Sequence, residues 1–215
     1  MNFRNAMIAG LAAIALAGCH HEGDIVVQEG VGITALRTVC PAVGIPDYTG
    51  DVTLFNPPTA RTADAIDVTA TMTNVRTICD DSGEKVYATA TFDVFGLRRD
   101  TRGARTVTLP YFTSVVRGGN AVTAKRVGMV TLNFADGQAR AQATGEGAAY
   151  IDHASASLPD AIKERITRKR KSGEADAAVD PLSEPDVRAA LDRANFELLV
   201  GFQLTNDQLA YNVTR

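Results

Sequence analysis

A chain of 215 residues, 45% of them hydrophobic, is long enough to bury a real core. Its formal charge of −3 argues against a general nucleic-acid binder, which is expected to be basic. Aromatics make up only 6% and tryptophan is absent, which disfavours a groove for stacking sugars or peptides, although five tyrosines remain.

Arg4 supplies a small positive start, and Ala6 to Ala17 form an apolar run of Ala, Ile, Leu, Met and Gly. The run is shorter than the roughly 20 residues that a spanning helix needs, so it predicts a secretory signal. It closes on Leu16-Ala17-Gly18-Cys19. These four residues resemble the lipobox of bacterial lipoproteins, whose cysteine thiol receives a diacylglycerol before the signal is cut just ahead of it. Small Ala17 and Gly18 suit an extended backbone in a peptidase cleft, Leu16 suits an apolar subsite, and only the thiol of Cys19 can be alkylated. An ordinary signal cut nearby, with Cys19 joining a disulfide, is the alternative. The resemblance implies a signal at 1–18 and a mature start at Cys19 with two or three acyl chains. Each buried methylene then contributes about 0.8 kcal/mol to membrane attachment. In lipoproteins of this type an aspartate after the cysteine often favours the inner membrane; the residue here is His20, which points to the outer membrane, facing the periplasm. The remaining 197 residues carry a net charge of −4 and suit a tether at 19–30 and one domain at 31–215.

With Cys19 lipidated, Cys40 and Cys79 remain as an even pair in an oxidising compartment, which predicts a disulfide. Its closure would stabilise the fold by roughly 4 kcal/mol on the chain-entropy model. Two free buried thiols are the alternative; a metal pair lacks a His or second Cys at ligand spacing.

Val31 to Cys40 has some strand character, and a Gly/Pro/Asp-rich stretch to Pro58 wraps the domain edge, with a short strand at Val52 to Phe55. From Ile66, the apolar residues Ile66, Val68, Ala70 and Met72 alternate with Asp67, Thr69, Thr71 and Thr73, the period of a half-buried strand. The phase shifts at Val75 and Cys79, which predicts a bulge near Asn74. Asp80 to Gly83 turn the chain, and Val86, Ala88, Ala90, Phe92 and Val94 point inward on the return strand. A third strand, Thr106 to Val116, contains Pro110 and so belongs at an edge or a bend. A fourth places Val122, Ala124, Val130, Leu132 and Phe134 on one parity. A fifth, Ala139 to Ile151, has only small residues on one face up to Ile151, so a bulky group such as Phe92 or Phe134 packs over it. Ser157 as N-cap and Pro159 in the first turn predict a helix over Leu158 to Lys171. Ser172 to Glu184 is a polar, acidic loop, and a second helix starts at Ser183-Glu184-Pro185-Asp186 with Val187, Ala190 and Leu191 as its apolar face. Phe196 to Leu204 is a last long strand, and Ala210 to Thr214 a short closing one. The whole reads as a mainly β chain: an antiparallel β-sandwich, immunoglobulin-like in pattern, with a helical insertion at about 157–194 before the last strand. The Cys…Trp…Cys signature of true immunoglobulin domains is missing.

No catalytic, cofactor or metal motif stands out. His20, His21, Glu22 and Asp24 sit on a tether, a poor scaffold for a metal. Asp152 and His153 with Ser155 and Ser157 invite a hydrolase reading, but no G-x-S-x-G elbow is present and capping is the ordinary role of such serines. Glu146 between Gly145 and Gly147 marks a close approach of ligand or backbone, or faces solvent. Lys163, Arg165, Arg168, Lys169, Arg170 and Lys171 form a basic cluster for an anionic lipid surface or a partner, with Glu174, Asp176, Asp180, Glu184 and Asp186 at hand to neutralise it. Asn212-Val213-Thr214 matches a glycosylation acceptor that a bacterial lipobox makes irrelevant. The expected function is a non-enzymatic binding or assembly module, held to the membrane by an N-terminal lipid and meeting an envelope protein partner. It involves no nucleic acid, no cofactor and no identified small-molecule substrate. An envelope hydrolase or transferase using Asp93, Asp152 or Glu146 is one alternative, and a membrane-apposed spacer with a basic helix is another.

Overall fold

The computed structural model describes residues 37–214. The apolar leader, the lipobox, the tether with His20 and His21, and the first part of the strand expected from Val31 lie outside the described residues. The described chain falls into two units, one covering 37–167 with 180–214 and the other represented by Arg168–Val179.

The larger unit is a β-sandwich. Eight strands form it: β1 (Ala42–Gly44), β2 (Asp51–Phe55), β3 (Ile66–Asp80), β4 (Lys85–Arg98), β5 (Arg105–Arg117), β6 (Ala121–Phe134), β7 (Arg140–Asp152) and β8 (Phe196–Phe202). One sheet has the order β1-β8-β5-β6 and the other β2-β3-β4-β7. Pairing is antiparallel throughout except for the three-residue β1, which runs parallel to β8. The core forms where period-two rows from the two sheets face each other. Val86, Ala88, Ala90, Phe92 and Val94 are fully buried, as their alternation predicts, against Leu132, Leu198 and Val200 among others. Asn74 adopts a positive φ of 57°, and the β3–β4 register slips between Thr73 and Arg76, which is the expected bulge.

The small-residue face of β7 lets the two sheets close tightly. A Cβ on Gly145 would lie 2.3 Å from the Phe92 ring, and one on Gly147 would lie 2.3 Å from Thr113 Oγ1. Phe92 is the bulky group over this strand, joined edge-on by Tyr111, whose hydroxyl donates to the Glu146 carbonyl at 2.7 Å. Phe134 instead packs over Gly96.

Four details depart from the sequence expectations. Val122 and Ala124 do not point into the core: Ala121 to Val127 are exposed on every side, because alternation marks a strand but does not guarantee a covering layer. Pro110 lies in β5, an interior strand, yet β8 pairing begins only at Tyr111. Its missing N–H thus falls where β8 runs out, which satisfies the edge rule locally. Ser157 closes a short helix, α1 (His153–Ala156), instead of opening the next one, α2 (Asp160–Thr167). Finally, Ala210 to Thr214 belong to a helix, not a strand. Thr205 and Gln208 form a reciprocal cap, Gln208 N to Thr205 Oγ1 and Thr205 N to Gln208 Oε1, which starts a helix at Asn206.

The insertion before β8 has its own small core. Ile162 and Ile166 of α2 pack with Val187 and Ala190 of α3 (Pro185–Ala194), flanked by Leu158, Leu182 and Leu191. The last helix, α4 (Asn206–Thr214), sets Tyr211 edge-on to Phe55 of β2. Asn212 of the same helix donates to the carbonyls of Tyr48 and Asp51, so the glycosylation-like Asn212 amide is buried and engaged.

Candidate functional site

The end of β7 brings together the residues with the most chemistry in the sandwich. Asp152 is the last residue of the strand and the N-cap of α1. Its Oδ1 accepts from both Ser155 N and Ser155 Oγ at 2.8 Å, and the Ser155 hydroxyl holds the carboxyl below its ordinary range. His153 N donates to the Glu84 carbonyl, which pins the ring beside the β3–β4 hairpin. Ser157 Oγ donates to the His153 carbonyl at 2.7 Å and lies 3.3 Å from Nδ1. A cleft of about 390 Å³ opens here, with Leu158 and Ile166 as apolar lining and Arg37, Asp81, His153 and Lys163 as polar lining.

This geometry does not build a nucleophile relay. A relay needs a hydroxyl aimed at the imidazole and a carboxylate holding the far side of the ring. Here Ser155 is turned to Asp152, Ser157 is turned to a backbone carbonyl, and Asp152 faces its own helix terminus. The lining of the cleft is mixed in charge and partly apolar.

The three carboxylates considered for acid–base work lie along the outer face of one sheet. Asp93 accepts from Asn74 Nδ2, from Arg76 and from Thr144, and the Asn74 amide is the largest influence holding it ionised. Asp93 stands opposite Thr144 and Lys85 stands opposite Asp152, so the two acids are eight positions apart along β7, roughly 26 Å at the rise of a strand. Glu146 is exposed on the same face, in the row of Thr91. Among the described residues no group of three His, Cys, Asp or Glu is placed to hold a metal ion.

Three arginines of the basic cluster are paired internally. Arg165 pairs with Glu184 at 2.8 Å and with Asp186 at 2.7 Å, the Asp186 contact being the main reason its pKa rises. Within the segment 168–179, Arg168 and Arg170 both reach Asp176, and turns at Lys171–Glu174 and Asp176–Val179 fold the acidic side back on the basic one. Lys163, on α2, lines the cleft. The neutralising role expected of Asp176, Glu184 and Asp186 is what the structure displays.

Cys40 and Cys79 are bonded, with their Cα atoms 6.1 Å apart, and join the segment ahead of β1 to the end of β3. Two features escaped the sequence reading. Arg37 donates to the Ala194 carbonyl and to Asn195, beside the start of β8, and nothing in its neighbourhood marks that role. The bare length of β6 was hidden by an alternation that looks like core.

Among the described residues no helix is long and apolar enough to cross a membrane. No family model, curated protein or solved structure matches this chain.

Proposed function

We propose that this is a lipid-anchored protein of the bacterial cell envelope whose β-sandwich serves as a non-enzymatic binding or assembly module. The observation that carries the reading is the Leu16-Ala17-Gly18-Cys19 ending of a short apolar run. The Cys40–Cys79 bond supports it, since disulfides persist in exported proteins and are rare in a reducing cytosol. Binding in preference to catalysis is supported by hydroxyls engaged in helix caps and by carboxylates spread over one sheet face. His20 after the cysteine favours the outer membrane, facing the periplasm.

The test is metabolic labelling with a radioactive fatty acid, followed by mass analysis of the mature N-terminus. The native chain takes up label at Cys19, and Cys19→Ser takes up none and keeps its leader. An unacylated start, or a cut elsewhere, would sink the reading.

A further inference from the structure

The first half of β6 is built like a docking strand. It pairs with β5 in continuous register from Ala124 to Phe134, so its backbone is fully extended. Its other side meets no strand among the described residues, because β6 ends the order of its sheet. Gln203 N donates to Pro110 O on the β8 side of β5, so Pro110, Phe112 and Ser114 turn their backbone groups towards β8. Their partners across the β5–β6 ladder, Met129, Val127 and Lys125, therefore turn theirs away from β5, since opposed residues of an antiparallel pair face towards or away from each other together. Those same residues are bare: Val127 is 56% exposed, Met129 64%, and Val122 further up the strand 63%.

Charge decides what fits there. Lys125 sits over the Phe112 ring at 5.0 Å, Arg126 points to the opposite face, and Arg117 at the adjoining end of β5 donates to the Arg193 carbonyl. None of the three is in an ion pair with a described carboxylate. Cations on an edge discourage pairing with a like-charged strand, and the exposed Val127 and Met129 beside them reward an apolar one.

We propose that the open side of β6 receives an extended, acidic and partly apolar segment of a partner protein as an added strand. Main-chain bonds to Lys125, Val127 and Met129 would supply the binding, and carboxylates set against Lys125 and Arg126 would supply the selectivity. The proposal rests on the binding-module reading but not on the lipid, so its failure would leave the anchor test unaffected.

The experiment uses the full chain in detergent and a fluorescent synthetic peptide alternating valine and glutamate, with a valine–lysine peptide beside it. Anisotropy should show binding of the acidic peptide that weakens with salt, and no binding of the basic one. Val127→Pro removes one outward N–H without touching the β5 ladder and should weaken binding at least about tenfold. The double variant Lys125→Glu with Arg126→Glu changes only exposed positions and should reverse the preference to the basic peptide. Equal binding of the two peptides, or a Val127→Pro chain that binds like the native one, would overturn the proposal. So would a native dimer that Val127→Pro dissolves while no peptide binds, since the occupant would then be a second copy.

Discussion

Arg98 is buried to 1% exposure, and among the described residues it forms no salt bridge with a carboxylate. Its donors go instead to four carbonyls: Nε to Gln138, Nη1 to Gly103, and Nη2 to Thr101 and Ala135. The guanidinium also lies over the Phe134 ring at 5.4 Å. These carbonyls belong to the β4–β5 and β6–β7 connections, two of the four places where the chain passes from one sheet to the other, so one side chain fastens two crossings. Arg98→Met would remove four guanidinium hydrogen bonds to part-buried carbonyls, and bonds from a charged donor contribute about 1.5–3 kcal/mol each at most. Urea unfolding of that variant should show a loss of at least about 3 kcal/mol, and Arg98→Lys should recover only part of it, because an ammonium lacks the planar fork. A midpoint within error of the native chain would mean that the carbonyls find other donors. The sequence gives no warning of this role, since an arginine at the end of a strand pattern reads as a solvated turn residue.

At the scale of elements, what could be read in advance was what periodicity controls. The inward rows of β3 and β4, the bulge at Asn74 and the small face of β7 all follow from alternation and side-chain size, and the structure repeats them. Periodicity is silent on which strand ends a sheet and how far the opposite layer extends, so Val122 and Ala124 were assigned to a core that stops short of them. The disulfide was legible from the three cysteines read together with the lipobox resemblance, which sets Cys19 aside and leaves a pair. The candidate cleft was half legible: His153 and Ser157 lie close together in sequence, but Arg37 and Asp81 reach it through folding. The last helix was missed although its signal was present, Thr205 followed three residues later by Gln208. That reciprocal cap is testable. Gln208→Ala should lower stability by about 0.5–2 kcal/mol, and Thr205→Ser should be close to neutral. If Gln208→Ala unfolds at the native midpoint, tertiary contacts such as Tyr211 on Phe55 hold the helix without it.

For the molecule as a whole, acid is the solvent change most directed at this fold. Asp67 of β3 is gripped at both oxygens by Arg105 of β5, at 2.7 and 2.6 Å, and that hydrogen bonding holds its carboxyl below the ordinary value. Asp93 is held down in the same direction by Asn74. A carboxyl whose folded pKa lies below its unfolded value of about 3.9 contributes stability that is complete above that value. The contribution disappears as pH falls through the folded pKa. Stability should therefore be level near neutrality and drop below about pH 4, and the chain carrying Asp67→Asn with Asp93→Asn should show a flatter acid limb. An unchanged limb would assign acid sensitivity to other groups.

The placement of the Cys40–Cys79 bond also fixes how the sandwich answers to a mechanical pull. Tension entering through the residues ahead of Cys40 would otherwise fall on β1, a three-residue strand that among the described residues pairs with β8 alone. The sulfur bridge diverts that load to β3, fifteen residues long and laddered to neighbours on both sides, so the force is shared across a whole sheet in shear. With the bridge reduced, the same tug would peel β1 away one bond at a time.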